Sequence, residues 1–524
     1  MANTPRLLMP YLVAGQAQKE ITHNDALNDV DALAQISVIN RTTATPPSSP
    51  VEGDSYLIAT SASGAWAGNA NAVATYYSGW RIKTPKAGWL AYVQAEAAFY
   101  FFDGSAWNIC KTVAPAHGNA FAFIGDSRLT AQFNDSGASA FPGNAAHMKT
   151  SNFFFNWANA LLGQRMKVAY NGAVSGYRSD QYLANLPAAI ASGAKWLMIW
   201  GVVNDITQSG TTGDTALSIW MRIRNATQTA LNAGMNVILV TESGANSYSG
   251  NATMIGMNYQ FNQYMREYAD ATQGVFCFDA ANVLVDPALS TPTLRSAYSS
   301  DGTHSNAYGG YYIGAQFAAL IGPFIPAFNN QIYTCAEIPS NGNIQQLANP
   351  LFLTTTGGTS GTGITGNTPA NFTCQRGSGT PSATISTAAD SSGYGNAVTI
   401  VGTFGAAGDS IVLSQDTVTG NYTNGDIIDC GAEIVINSGA VNLSGAYLNS
   451  NFGGISNPAT DLYATNASMI ALPNVAMDLT LRTVPFVLTT VGGWVTWQVK
   501  FTASGAGSFT ATIKRPWMRR RFSI

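Results

Sequence analysis

The apolar run Ala120–Ile124 stops abruptly at Gly125-Asp126-Ser127, and this junction limits what the chain can fold into more than any other stretch. A continuous apolar run closed by a glycine turn predicts a strand buried on both faces, as in a parallel sheet covered by helices. Open sheets of that kind place ligands outside the carboxyl ends of their strands. Ser127 is therefore delivered to a position where chemistry could occur, and it is the candidate nucleophile. Two other Gly-Asp-Ser tripeptides, beginning at Gly53 and Gly408, follow Pro/Ser-rich and Gly-Ala-Ala segments and predict turns entering strands.

Downstream of Ser127 the pattern alternates strand and helix. Strands are expected at Ala120–Ile124, Met166–Tyr170, Trp196–Trp200, Asn236–Thr241 and Val275–Asp279, and helices at Ser151–Leu162, Asp180–Ala191, Asp214–Ala233, Met254–Ala271 and Asn306–Ile321. These predict a flavodoxin-like α/β three-layer domain over residues 119–328. Residues 1–112 read as an α+β module: Ile21, Leu27, Val30, Leu33 and Ile36 suggest amphipathic helix within Gln16–Asn40. Short β-like runs follow, with Tyr76, Tyr77, Tyr92, Phe99, Tyr100, Phe101, Phe102 and Trp107 expected to fill a small core. Beyond Asn329 the alternation gives way to Gly/Thr/Ser/Asn-rich sequence with strand-like runs, so residues 329–524 are expected to form an all-β sandwich.

A serine hydroxyl needs a base, a group that orients the base, and donors for the oxyanion. Asp301-Gly302-Thr303-His304 supplies the first two, since the spacing lets Asp301 bond Nδ1–H of His304 and leaves Nε2 for Ser127. Gly176, in the Asn171–Ser179 turn, can present a backbone N–H to an oxyanion, although a plain strand-to-helix turn glycine would read the same. Asn204 ends the buried run before it and can offer an amide donor, or simply terminate the strand. His23, His117 and His147 have no matching carboxylate. The cysteines Cys110, Cys277, Cys335, Cys374 and Cys430 have no metal-type spacing; Cys277 reads as a buried hydrophobe, and whether Cys335, Cys374 or Cys430 pair is open. No metal or cofactor is expected.

Taken together and in this order, the four blocks resemble the SGNH (GDSL-like) hydrolase family over about Phe121–Ala319. The resemblance implies a serine esterase or deacetylase acting on carboxylic esters. Ser127 would be the nucleophile and, through its backbone N–H, an oxyanion donor; Gly176 and Asn204 would be further donors, His304 the base and Asp301 its orienting partner. Arg128 stands where a small or apolar residue is usual, and it is expected with Tyr177 to contact an anionic or hydroxylated substrate. The N-terminal segment Leu8–His23 with Asn24–Leu27 and the Gly-Trp, Tyr-Val and Phe-Asp-Gly-Ser-Ala-Trp runs resembles a domain of unknown function at the start of phage tail proteins. Asn349–Pro369 resembles the opening of jelly-roll carbohydrate-binding modules of phage tail enzymes.

These resemblances imply a phage tail fibre or tailspike esterase that removes O-acetyl groups from host surface polysaccharide, capsule or O-antigen. It would be a virion component acting outside the host cell, joined to other tail proteins through its N-terminal module and assembled as a homotrimer. A net charge of −3 gives no basic footprint for nucleic acid. No apolar run is long enough to insert in a membrane, and the first residues lack the pattern of a secretory signal. Charged residues make up 10% of the chain, which fits a β-rich extracellular or virion surface. The rival readings are a non-catalytic receptor-binding fibre on a hydrolase scaffold, and a glycosidase or lyase, which would need paired carboxylates in a groove.

Overall fold

The computed structural model of the chain describes residues 19–96, 98–110, 118–130, 151–326, 345–452, 455–458, 470–483, 486–488 and 495–521. His117, His147, Cys335, the first part of the Leu8–His23 motif and the expected boundary at 328/329 lie outside them. The chain divides into two compact units, Met1–Val113 and Ala114–Ile524.

In the first unit a helix, Lys19–Ala34, accompanies one small sheet with strands Ile36–Val38, Leu90–Val93, Ala98–Phe102 and Trp107–Ile109 and another with Ser55–Leu57, Val73–Tyr76 and Trp80–Lys83. Two expectations are corrected here. Ile36 begins a strand and is not helical, and Ile21, Leu27 and Val30 are exposed. The helix meets the sheets through Leu33, which is buried in their core, and through acids: Asp29 pairs with Lys83 at 2.7 Å, Asp25 with Arg81, and Asp31 accepts from Tyr77. The aromatics divide by strand alternation, with Tyr100 and Phe102 in the core and Phe99 and Phe101 outside it.

The second unit contains five parallel strands: β1 (Ala120–Gly125), β2 (Lys167–Asn171), β3 (Trp196–Trp200), β4 (Asn236–Val240) and β5 (Val275–Phe278). They pair in the order β5-β4-β3-β1-β2, which puts β1 between β2 and β3. Alternate residues explain why the strands read as unbroken apolar runs. Ala122, Ile124, Leu197 and Ile199 face a core with Ile219, Trp220 and Phe261, whereas Phe121, Phe123, Trp196 and Met198 face another with Phe154, Phe155 and Phe317.

The covering helices are α1 (Phe154–Leu161), α2 (Ala216–Asn232), α3 (Ala252–Ala271) and α4 (Ala307–Ile321). The last three begin where Thr215, Asn251 and Asn306 accept a backbone N–H from the first turn. The helix expected over Asp180–Ala191 is broken into Ser179–Tyr182, a 3-10 turn and Leu186–Ala191. Pro187 supplies the reason, since it has no N–H to continue the ladder.

The C-terminal sequence forms two sheets that share one hydrophobic core. Val495–Ala503 buries alternate residues, Trp497, Val499 and Phe501 among them. Trp157 and Ala160 of α1 join this core, and Gln164 Nε2 donates to Thr480 O at 2.9 Å. Gly53-Asp54-Ser55 and Gly408-Asp409-Ser410 are turns leading into strands. Among the described residues Cys110, Cys277 and Cys374 are free thiols; Cys277 is half-buried. No described helix is long and apolar enough to cross a membrane.

Candidate active site

The β1 strand ends at Gly125, and Asp126 turns the chain into a short helix, Ser127–Thr130. Asp126 Oδ1 accepts the Arg128 N–H at 3.0 Å and so caps that helix. Burial pushes the Asp126 carboxyl up to about 7, although the Arg128 cation opposes this. Because β1 is flanked by β2 and β3, the loops carrying Gly176 and Asn204 leave the sheet on either side of Ser127.

Ser127 Oγ lies 2.7 Å from His304 Nε2, and His304 Nδ1 lies 2.7 Å from Asp301 Oδ2. An ionised carboxylate can only accept, so the imidazole proton sits on Nδ1 and Nε2 is left to accept from the serine hydroxyl. The other Asp301 oxygen accepts the backbone N–H of Thr303 at 2.9 Å and of His304 at 2.8 Å, which makes the turn self-bracing. Burial would raise the Asp301 pKa, but these bonds and the His304 side chain outweigh it and hold the carboxyl well below its usual range. Burial lowers the His304 pKa; the bond to Asp301 opposes that shift and the Arg128 cation reinforces it. The imidazole is consequently an unprotonated base near neutral pH.

Gly176 has φ +81°, a left-handed backbone that few other residues would accept. Asn204 Nδ2 donates to the Tyr177 carbonyl at 2.9 Å, which ties the segment after β3 to the loop that carries Gly176. Asp205, next in sequence, accepts from Ser179 N–H at 2.9 Å and from Arg222 at 3.0 Å. Burial raises the Asp205 carboxyl to about 6 against those bonds. Asn204→Ala is expected to lower kcat about a hundredfold or more while KM changes little. An unchanged kcat would reduce Asn204 to a turn residue.

Of the expected substrate contacts, Tyr177 is open to solvent. Arg128 is not: its side chain is 2% exposed, and its nitrogens bond the Glu242 carboxylate, Gly244 O at 2.7 Å and Thr303 O at 3.1 Å. Its charge is met by protein partners, and it still forms part of the lining of the cleft beside Ser127 and His304. That small cleft is walled by Arg128, Asn152, Phe153, Trp200, Thr303 and Ser305. Sequence reasoning missed Glu242, whose signal was a carboxylate directly following the apolar β4 run, and Ser299, whose hydroxyl accepts the Gly302 N–H at 2.9 Å. Among the described residues no cluster of His, Cys, Asp and Glu is set to hold a metal ion.

A parallel sheet with helices on both faces and a Ser-His-Asp relay at its carboxyl edge defines a hydrolase-type α/β domain. Residues 123–310 match the GDSL-like lipase/acylhydrolase family, so the chain carries a GDSL-like (SGNH) domain there, and residues 23–108 match a protein family of unknown function, DUF2793. Similar solved structures include a protein described as lipolytic, of the G-D-S-L family, from Desulfitobacterium hafniense DCB-2. It is 15% identical, with 39% of this chain and 99% of that chain covered and a TM-score of 0.29. An acylhydrolase-type protein from Bacteroides fragilis NCTC 9343 is 20% identical, with 40% and 88% covered and a TM-score of 0.30. The acetyl xylan esterase AlAXEase is 14% identical, with 38% and 99% covered and a TM-score of 0.30. No curated protein matches the chain.

Proposed function

We propose that the protein is a serine esterase that removes O-acetyl groups from a host surface polysaccharide as part of a phage tail fibre or tailspike. The observation that carries the chemistry is the direct relay from Ser127 Oγ through His304 to Asp301. Ser127 attacks the acyl carbon as its proton passes to Nε2 of His304. The developing oxyanion is met by the backbone N–H groups of Ser127 and Gly176 and the amide of Asn204. His304 then returns the proton to the departing sugar oxygen, leaving an acyl-serine. Water, deprotonated by the same imidazole, releases the acid and restores the serine.

The polysaccharide and the virion setting rest on the N- and C-terminal resemblances drawn from the sequence. The order β5-β4-β3-β1-β2 supports reading the central sheet as flavodoxin-like. In the same reading the C-terminal sheets form a jelly-roll-like module that holds carbohydrate, the N-terminal module joins other tail proteins, and the assembly is a homotrimer.

A site of this kind stabilises an anion at an acyl carbon, whereas a glycosidase needs two carboxylates about an oxocarbenium-like centre. Incubation with acetylated capsule or O-antigen is therefore expected to release acetate and leave the polymer's elution on size exclusion unchanged. Shortened chains without released acid would overturn the reading.

A further inference from the structure

The residue after the nucleophile is the most tightly held cation in the second unit's site. Arg128 reaches three separate points: the Glu242 carboxylate and the Gly244 carbonyl beyond β4, and the Thr303 carbonyl in the catalytic turn. Glu242 is itself fully buried, and the oxygen that meets Arg128 also accepts the Gly244 N–H at 2.9 Å. Taking an ion pair out of water seldom stabilises a fold more than apolar residues of the same volume would, so stability alone does not account for this pair. Its geometry does something else. Thr303 is the neighbour of His304, and a bond to its carbonyl fixes the peptide that carries the base. The bonds from Asp301 give the turn its shape, whereas the bond from Arg128 sets where that shape sits relative to Ser127, one residue away.

We propose that Arg128, backed by Glu242, is a positioning residue that holds the catalytic turn in register with the nucleophile and sets the charge environment of His304. The inference rests on the esterase reading for its kinetic consequence and on geometry for the rest. Among the described residues, Asp301, Glu242 and Arg128 carry the charges that act on the imidazole. Asp301 and Glu242 favour its protonated form, Arg128 disfavours it, and Arg128 outweighs Glu242. Removing Arg128 and Glu242 together should therefore raise the pH at which His304 titrates, and lower kcat because the turn loses its tie to the nucleophile.

The test uses the full chain and p-nitrophenyl acetate, with Arg128→Met/Glu242→Gln, which removes both members of the ion pair, and Arg128→Lys, which keeps the charge but not the fork. The double variant should lose about 10- to 100-fold in kcat, the scale of a misplacement near 1 Å, with KM little changed. The acid limb of kcat/KM and the His304 midpoint, read by NMR of labelled histidine, should both move to higher pH. Arg128→Lys should lose kcat yet keep the wild-type midpoint. Wild-type kcat in the double variant, or an unmoved midpoint, would overturn the proposal; the second result would mark a merely structural role. If the double variant does not fold, Arg128→Lys decides alone, and wild-type kcat in it would overturn the proposal. If the wild-type protein hydrolyses no ester, the esterase reading fails, while the NMR midpoints still decide whether Arg128 governs His304.

Discussion

Ser127→Ala is expected to abolish turnover of a small acetyl ester, by on the order of 10⁴-fold or more, and to leave the protein folded. The hydroxyl bonds His304 and faces a small cleft lined by Phe153 and Trp200, so its removal leaves no new hole in the apolar core. His304→Ala should be as severe, and the two together hardly worse, because residues that act as one unit do not contribute additively. Asp301→Asn should retain more activity than either. An amide oxygen can still accept the Thr303 and His304 N–H groups that shape the turn, but the imidazole loses the partner that selects its tautomer. The measurement is kcat on p-nitrophenyl acetate beside a thermal melt for each variant. A fully active, folded Ser127→Ala protein would remove Ser127 from the mechanism.

Much of that site can be read from the chain because it is local. Gly125-Asp126-Ser127 follows a run that is apolar at every position, and such a run has to be covered on both faces. Asp301 and His304 are three apart, so their contact is a property of one turn. The parts that could not be read are pairings between distant segments. Arg128 and Glu242 are 114 residues apart, and no periodicity says that they meet. The sequence shows Arg128 as a cation beside the nucleophile; the acid that neutralises it lies just beyond another strand.

The same limit explains the first unit. The apolar spacing within Gln16–Asn40 marked helix, but only Leu33 of Lys19–Ala34 is buried in the core, and the acids Asp25 and Asp29 pair with Arg81 and Lys83 more than fifty residues away. In the C-terminal sequence the run GWVTWQVKF, residues 493–501, reads as a strand, and Val495–Ala503 is one; its neighbours are Ser410–Thr417 and Leu443–Phe452, a pairing that the run alone does not encode. Strand identity is a local property, and strand order follows from how the whole sheet closes its core.

Gly125→Ala is expected to fail in the opposite way to Ser127→Ala, losing the fold and the activity together. Gly125 is paired with Trp200 at the end of the β1–β3 ladder, and a Cβ there would stand 1.9 Å from the Trp200 carbonyl oxygen and 3.0 Å from its carbon. The obstacle is backbone, so no side-chain rotation relieves it. Moving β3 away would break the ladder from Trp196 onward and the bond from Asp126 N–H to Trp200 O at 3.2 Å. The residue that follows β3 tightens the same junction: Gly201 has φ +138°, and its own Cβ would fall 2.4 Å from the Asp126 carboxyl carbon. Overpacking a core usually costs about 1–3 kcal/mol, and a clash with a central strand's backbone should reach or exceed the upper figure. Against a stability of roughly 5–15 kcal/mol for a folded domain, that is a large fraction. Urea unfolding followed by the fluorescence of buried Trp196 and Trp200 should show the midpoint of this unit fall sharply, with kcat lost in the same variant. A wild-type midpoint with full activity would mean that β1 and β3 can separate at their carboxyl ends without disturbing Ser127, and the close approach would then not be what sets the nucleophile in place.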